Sequence, residues 1–449
     1  MKIKKNIALL LITGLMYAFI PIYALAEKSI TDEETMFSYV KTDWWQGFDD
    51  AVLNEYIIKA VHNNFDLKLS TLKVEEATEN KNIVRAGEMP SIGVGAVPAL
   101  YKLPAITQSE GIISFPLYAN YELDLFGKNR DKTKSMDKMI DISRQNERSS
   151  YISVVSAVGS TYYNIVKLDK LIEIQEEIVK ERQEIYDLMK LSNDEGIISA
   201  ADTVNAHKSL INSESDIIEF KKLREKMLNM LAVLIGDSPE NADSYERIAY
   251  DDLVIKKLIP DFIPSEIIEN RPDYISAEKM IEKAGFDVRA AKKEFLPSLN
   301  ILGVISFNST KYISKLNWTN ASAILAGGVL LPLFTGGKRI ANLKLNKNKY
   351  KQALENYQNI NIKSIQEVND SLCDLKLDNE KYIKSIENYE AEKQSLYYSK
   401  LKYKEGIISK LDFLQKQESL LVTEKMTVNN KTALFIDQIG LYKSTAGGI

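Results

Sequence analysis

Cysteine is nearly missing from this chain: Cys373 is the only one in 449 residues, so no disulfide can form within it. Histidine is almost as scarce. His62 and His207 fall in predicted helices and make no pair with metal-ligand spacing. Gly336-Gly337-Lys338 lacks the rest of a phosphate loop and fits a strand-to-helix turn better, and no carboxylate pair stands out among 62 acidic residues. The sequence therefore offers no catalytic, cofactor-binding or metal site, and no enzyme is expected. Basic excess is lacking too. The formal net charge is -4, and it becomes -7 once Lys2, Lys4 and Lys5 leave with a cleaved leader, which argues against a nucleic-acid partner.

Long apolar runs are confined to the start. Those three lysines precede an apolar run from Ile7, which ends at Pro21 and Ala24-Leu25-Ala26. This order predicts a secretory signal over residues 1–26, with an uncleaved anchor as the alternative. Beyond it no run of 18 apolar residues occurs, so any later membrane crossing must use β-strands.

Proline is absent from Leu117 to Ser238 and again from Leu333 to Ile449. Proline in a helix interior costs about 3 kcal/mol, so two proline-free arms read as helices. Ile165, Ile172, Val179 and Tyr186 fall at heptad spacing, with Glu and Lys crowded between them, which gives the first arm coiled-coil character. A helix from Lys128 to Asp194 would run on the order of 100 Å at about 1.5 Å per residue. That length suits a rod or a tunnel wall.

What is present is a duplication. Glu195-Gly196-Ile197-Ile198-Ser199 returns as Glu405-Gly406-Ile407-Ile408-Ser409, with Asp202 and Asp412 in register. Pro90-Ser91 answers to Pro297-Ser298, and Leu125-Phe126-Gly127-Lys128 to Leu333-Phe334-Thr335-Gly336-Gly337-Lys338. The period is far too long for a solenoid repeat. It predicts two tandem repeats, 27–250 and 251–449. Each would hold a helical hairpin, about 128–236 and 338–440, turning at Gly196 or Gly406 and followed by a Ser N-cap with an acidic first turn. Residues 48–87 and 264–295 read as shorter helices, and 27–50, 237–263 and 441–449 as a connecting equatorial region.

Before each arm the texture changes. Leu117, Ala119, Tyr121, Leu123 and Leu125 alternate with Tyr118, Asn120, Glu122 and Asp124, a strand with one apolar and one polar face. The expected strands are about 90–101, 111–126, 297–309 and 319–334, with Tyr118, Tyr121 and Trp318 suited to an interfacial aromatic belt. Four strands cannot close a membrane barrel, because the smallest need about eight. Several chains must then share one barrel, and the helices would continue it as a tube. The fold class is thus all-α coiled coil joined to β-barrel, and the geometry suggests an export conduit.

Trp44-Trp45-x-x-Phe48-x-Asp50-x-x-Leu53, Tyr121-Glu122-Leu123-Asp124-Leu125-Phe126-Gly127-Lys128 and Ile268-x-x-Arg271-Pro272-Asp273-x-x-x-Ala277-Glu278 resemble the outer-membrane factors of tripartite efflux pumps. This is the TolC superfamily, and within it the OprM and NodT-like branch. The resemblance implies a homotrimer with a twelve-stranded barrel in outer-membrane lipid and a helical barrel crossing the periplasm. Its partners would be a periplasmic adaptor and an inner-membrane pump, and its cargo small molecules such as drugs. A type I protein secretion channel is the near alternative, and a periplasmic coiled-coil scaffold or adaptor the distant one. Many members of the branch carry a lipid-bearing cysteine directly after the signal. Glu27 stands there instead.

The resemblance also implies a periplasmic aperture ringed by acids. Asp412 lies six residues after Gly406, where some members carry such an aspartate, and Asp202 is its repeat partner; others place one where Gln415 stands here. The alternative role for both aspartates is a first-turn acid facing the helix dipole, and the two roles are compatible. Gly196, Ser199, Gly406 and Ser409 would form the tips offered to an adaptor. Asn120, Glu122 and Asp124 would face the barrel lumen, unless the strand is the edge of a soluble sheet.

Overall fold

In a computed structural model, the structure describes residues 43–101, 110–255, 263–264, 266–309 and 321–446, all belonging to one unit, residues 42–449. The expected leader, Trp318 and part of the connector lie outside the described residues. Two helices open the unit, α1 (Ala51–Asn63) and α2 (Phe65–Ala86). Strands β1 (Ser91–Val94), β2 (Val97–Tyr101) and β3 (Glu110–Leu123) lead into α3 (Lys128–Asp194) and its return α4 (Ala200–Ile235). The short α5 (Glu266–Glu269) and α6 (Pro272–Lys293) then precede β4 (Ser298–Ser309), β5 (Ala321–Leu330), α7 (Lys338–Lys404) and α8 (Lys410–Ser444).

The repeat is metrically regular. α3 and α7 each span 67 residues, and α2 and α6 each span 22. Their packing differs sharply. Tyr151, Val158, Ile165 and Ile172 recur at sevens along α3 and are all buried, because α2, α4, α6 and α8 all pack on this helix. Along α7 only Ala353, Ser364, Val368, Leu375 and Ser385 are buried.

Around the middle of α3 an aromatic core gathers the chain. Tyr163 meets Phe435 of α8 at 4.8 Å and Tyr162 at 5.4 Å, and Tyr56 of α1 reaches Tyr162 at 5.9 Å. Buried Asp50 caps α1 by accepting from the Val52 and Leu53 amides, each at 3.0 Å. A second tie closes the other end of this region. Arg271 is buried, and its guanidinium donates to both oxygens of Asp273, at 3.0 and 2.7 Å. It also donates to Glu367 Oε2 and to the Ser444 carbonyl, each at 2.6 Å, joining the starts of α6 and the ends of α8 to α7. Burial raises the Asp273 carboxyl, but the Arg271 pairing prevails and holds it below the usual range.

The sheet runs in the order β1/β2–β3–β4–β5, antiparallel throughout. The expected first strand is broken in two, and Pro116 is the reason. Gly95 donates to the Pro116 carbonyl at 2.9 Å, but proline has no N–H to return the bond, so the ladder lapses there. The register on either side is unchanged, with Val94 opposite Leu117 and Val97 opposite Ser114. A further departure concerns the end of the last helix. Gly440 lies inside α8, which continues to Ser444.

Glycine is required at Gly236. It ends α4 at φ 72°, and a Cβ there would meet the Asn63 carbonyl oxygen at 2.6 Å and its carbon at 2.8 Å. Gly196 shares the left-handed conformation but faces open space. Gly236→Ala is expected to cost roughly 3 kcal/mol, against about 1 kcal/mol for Gly196→Ala. The check is the apparent melting temperature of the purified protein, which should fall further for the first variant.

Candidate functional site

Register sorts the sheet into two faces. One carries the rows Ile92–Ala119–Gly303–Leu325, Val94–Leu117–Ile305–Ala323 and Leu123–Leu299–Val329, with no charged or amide side chain. The other carries Ser91–Asn120–Leu302–Ala326, Glu122–Asn300–Gly328 and Pro116–Ser306–Ser322. Residues directly opposite share a face, so the alternation in β3 is carried across the whole sheet. On the second face Val304 and Ile324 interrupt the polar character beside Tyr118.

Asn120 and Glu122 therefore stand on the polar face. Glu122 accepts from Lys128 Nζ at 2.5 Å. Asp124 does not belong with them. β3 ends at Leu123, and the Asp124 carboxylate accepts from the Arg130 amide at 3.0 Å. The cause is local. Gly127, the N-cap residue of α3, sits at φ 72° and has no side chain to satisfy the first amides, so Asp124 supplies the acceptor from outside the helix.

Where each strand meets its helix, a cavity of about 810 Å³ lies between the repeats. Leu125, Phe126 and Lys128 line it from the first repeat, and Lys293, Leu296 and Pro297 from the second.

At the far end of the arms the two tips are built alike. Ile197 donates to the Ser192 carbonyl and Gly196 to that of Asn193, at 2.8 and 2.9 Å; Ile407 donates to Lys402 and Gly406 to Tyr403, at 2.8 and 3.0 Å. These are paired Schellman closures, each needing the left-handed glycine, at φ 74° and 71°. Ser199 and Ser409 then cap the returning helices. The Asp202 amide donates to Ser199 Oγ at 3.3 Å, and the Asp412 amide to Ser409 Oγ at 3.1 Å. At the second tip the Ser409 amide also donates to Asp412 Oδ2 at 3.1 Å, completing a capping box. The hydrogen bonds from the Ser409 hydroxyl and amide lower the Asp412 carboxyl below its usual range. Both aspartates are exposed, and both serve their own helices.

Two features of the tips carried no signal as sites in the sequence. Ile197 and Ile407, one residue past each glycine, are 70% and 69% exposed; the repeat contains them, but an isoleucine in a turn of the same length in both halves reads as packing. The second feature is a set of polar ties between α8 and the first hairpin. Arg182 donates to Glu418 from Nε and Nη2 at 2.8 and 2.7 Å, and to the Ser209 carbonyl at 3.0 Å. Lys410 pairs with Glu184, and Lys425 Nζ donates to Gln175 Oε1 at 2.6 Å. The partners on α8 lie more than 200 positions from those on α3, so no local pattern announces them. Among the described residues no group of side chains could hold a metal ion, and no helix is long and apolar enough to cross a membrane.

The family described as outer membrane efflux protein matches residues 57–237 and 263–447. The toluene efflux pump outer membrane protein TtgC of Pseudomonas putida is 26% identical over 412 residues, covering 90% of this chain and 85% of TtgC. The cation efflux system protein CusC of Escherichia coli is 26% identical over 412 residues, covering 92% of this chain and 90% of CusC. The crystal structure of the Campylobacter jejuni CmeC outer membrane channel superimposes with a TM-score of 0.83 at 25% identity, covering 91% of this chain and 89% of CmeC.

The caps make a direct prediction. Ser409→Ala removes about 1 kcal/mol of helix-end stability, so the amides of residues 410–413 should exchange roughly fivefold faster by hydrogen-exchange mass spectrometry. The depressed Asp412 carboxyl adds pH dependence: its contribution is present above the unfolded carboxylate pKa and is lost as pH falls through the lowered folded value.

Proposed function

The chain belongs to the outer membrane efflux protein family, and from this premise we propose how it works: three copies close one twelve-stranded barrel in the outer membrane and continue it as a helical tube through the periplasm. It is an outer-membrane channel, the exit duct of a tripartite efflux system, and acts as a transporter and not as an enzyme. One observation carries the trimeric reading. The sheet presents an uncharged apolar face, yet among the described residues it ends in two unpaired edges, β1/β2 and β5. Unpaired backbone groups in hydrocarbon cost several kcal/mol each, so the edges need strands from other copies. The helices fit the same assembly: Val204, Ile211 and Ile218 form an exposed heptad stripe on α4.

Asn120 and Glu122 then line the barrel lumen, and the opposite face meets lipid. The tips at Gly196–Ser199 and Gly406–Ser409, with Ile197 and Ile407 bare beside them, form the surface for a periplasmic adaptor, which couples the duct to an inner-membrane pump. Asp412, with Asp202 behind it, supports an acidic aperture at that end. Three symmetry-related carboxylates would attract cations and filter passing charge. Widening the aperture requires α8 to leave α3, breaking the Arg182–Glu418 and Lys410–Glu184 pairs. Relatives named for a solvent and for cations are equally similar, which favours small-molecule cargo selected by the pump.

Three experiments test this. The protein extracted from outer membranes should run as a heat-sensitive trimer, and in planar bilayers Asp412→Ala should raise single-channel conductance and weaken divalent-cation block. A soluble monomer ends the proposal; a trimer whose conductance is unchanged at every salt concentration removes the aperture role. Ile197→Glu and Ile407→Glu change exposed side chains and leave the tip glycines in place, so they should abolish efflux-dependent resistance while trimer levels stay normal.

A further inference from the structure

Leu434, Asp437 and Leu441 lie three and four residues apart on α8, so they share the face that meets α7. Leu434 and Leu441 are buried there with Leu375 of α7, and Leu372 and Tyr382 pack around them. Asp437 falls between the two leucines, and its Oδ2 is buried with no hydrogen-bond donor. What faces it is more acid. Asp378 of α7 lies within hydrogen-bonding reach, and Asp374 stands one turn away on the same helix.

Little positive charge offsets this. Lys381 acts on Asp437 from α7, but it is exposed and already paired with Asp378 at 3.8 Å. Arg271 is committed to Asp273, Glu367 and the Ser444 carbonyl. Lys443 of α8 is exposed, at a cavity of about 390 Å³ that Asp370 and Asp374 also line. At this level α3 meets α8 through apolar groups, Tyr163 on Phe435 and Gly159 under Ile439. The connector touches the cluster through Ile255 and Ile263; Lys256, Lys257 and Asp261 lie outside the described residues. The first repeat shows that packing does not demand these acids. Counted back 210 positions, the interval between the starts of α3 and α7 and of α4 and α8, Asp374, Asp378 and Asp437 become Asn164, Leu168 and Met227.

We infer that Asp437, Asp378 and Asp374 form a proton-operated clasp between α7 and α8: one bound proton bridges Asp437 to Asp378, and its release to water leaves three carboxylates that push the helices apart. Two ionised carboxylates only accept hydrogen bonds, so in this contact they repel and leave a buried oxygen unsatisfied; a single proton supplies the donor. Burial first, then the Asp378 and Asp374 charges, push the Asp437 carboxyl up to about 7. Once α8 parts from α7 the group returns to the ordinary carboxylate range. The closed contact thus holds a proton that the parted one releases. Its stability is greatest in acid, falls as pH rises from the ordinary carboxylate value to about 7, and levels off above that. The consequence for transport rests on the duct reading: the clasp sets how freely α8 swings, so the duct opens more readily near neutral pH than in acid. Asp412, held below its usual range, is ionised throughout this interval and adds nothing to it.

Hydrogen exchange on the intact protein in lipid nanodiscs tests the clasp. After correction for the intrinsic rate, the α8 amides around Asp437 should exchange roughly tenfold faster for each unit from about pH 5 to about pH 7, and no faster above about pH 8. Asp437→Asn keeps a donor towards Asp378 and carries no charge, so its protection should stay at the acid level throughout. Asp378→Asn removes the nearest like charge and should move the midpoint to lower pH. A flat wild-type profile, a sloping Asp437→Asn profile or an unmoved midpoint in Asp378→Asn overturns the clasp. In planar bilayers the open probability should rise over the same interval in the wild type and not in Asp437→Asn. Conduction that ignores pH while exchange follows it overturns the link to transport and leaves the clasp standing. A soluble monomer that still shows the exchange profile overturns the duct alone.

Discussion

Two rows of backbone N–H and C=O groups, along β1/β2 and β5, constrain everything else about this molecule. In water a bare strand edge is a hazard; in hydrocarbon it is prohibitive, because nothing else can accept or donate. The apolar rows running through Leu117, Ile305 and Ala323 suit lipid, so the edges have to be met by strands. Four strand rows are too few to curl on themselves. Closure by identical copies is the answer proposed above, with a ring of helices continuing the barrel.

The helical half obeys a different rule. α3 and α7 are too long to be stabilised by propensity alone, so each needs an apolar flank covered along its length. For α3 the chain supplies that cover itself, and the Tyr162–Tyr163–Phe435 cluster anchors its middle. For α7 it does not. Fixed ends compensate in part: the left-handed glycines and serine caps at both tips satisfy helix-terminal groups without help from any partner. The tips are thus already ordered surfaces, which lowers the entropic penalty of docking on them.

Much of this was legible in the sequence, for identifiable reasons. Proline-free stretches and flanking glycines marked α3 to the residue, since each is a backbone signal that tertiary packing seldom overrides. Alternation in β3 gave the two faces for the same reason. The failures are equally physical. The first expected strand, about 90–101, is split in two, because Pro116 within β3 cannot return a ladder bond to it. Asp124 keeps the alternation but serves a helix end, because Gly127 cannot cap itself. Gly440 resembles a stop but stays helical, nothing nearby requiring a left-handed turn there. Arg182 and Glu418 belong to different repeats, and only the folded chain brings them together.

Duplication also explains why the two halves have diverged where they have. Contacts within a chain are made whenever the chain folds, so Lys138–Glu282 and Ser135–Asp287 can be mixed pairs of ordinary kind. A contact between copies has a further task. It must form head to tail and never face to face, because a heterologous interface closes a ring only if the same two surfaces meet each time.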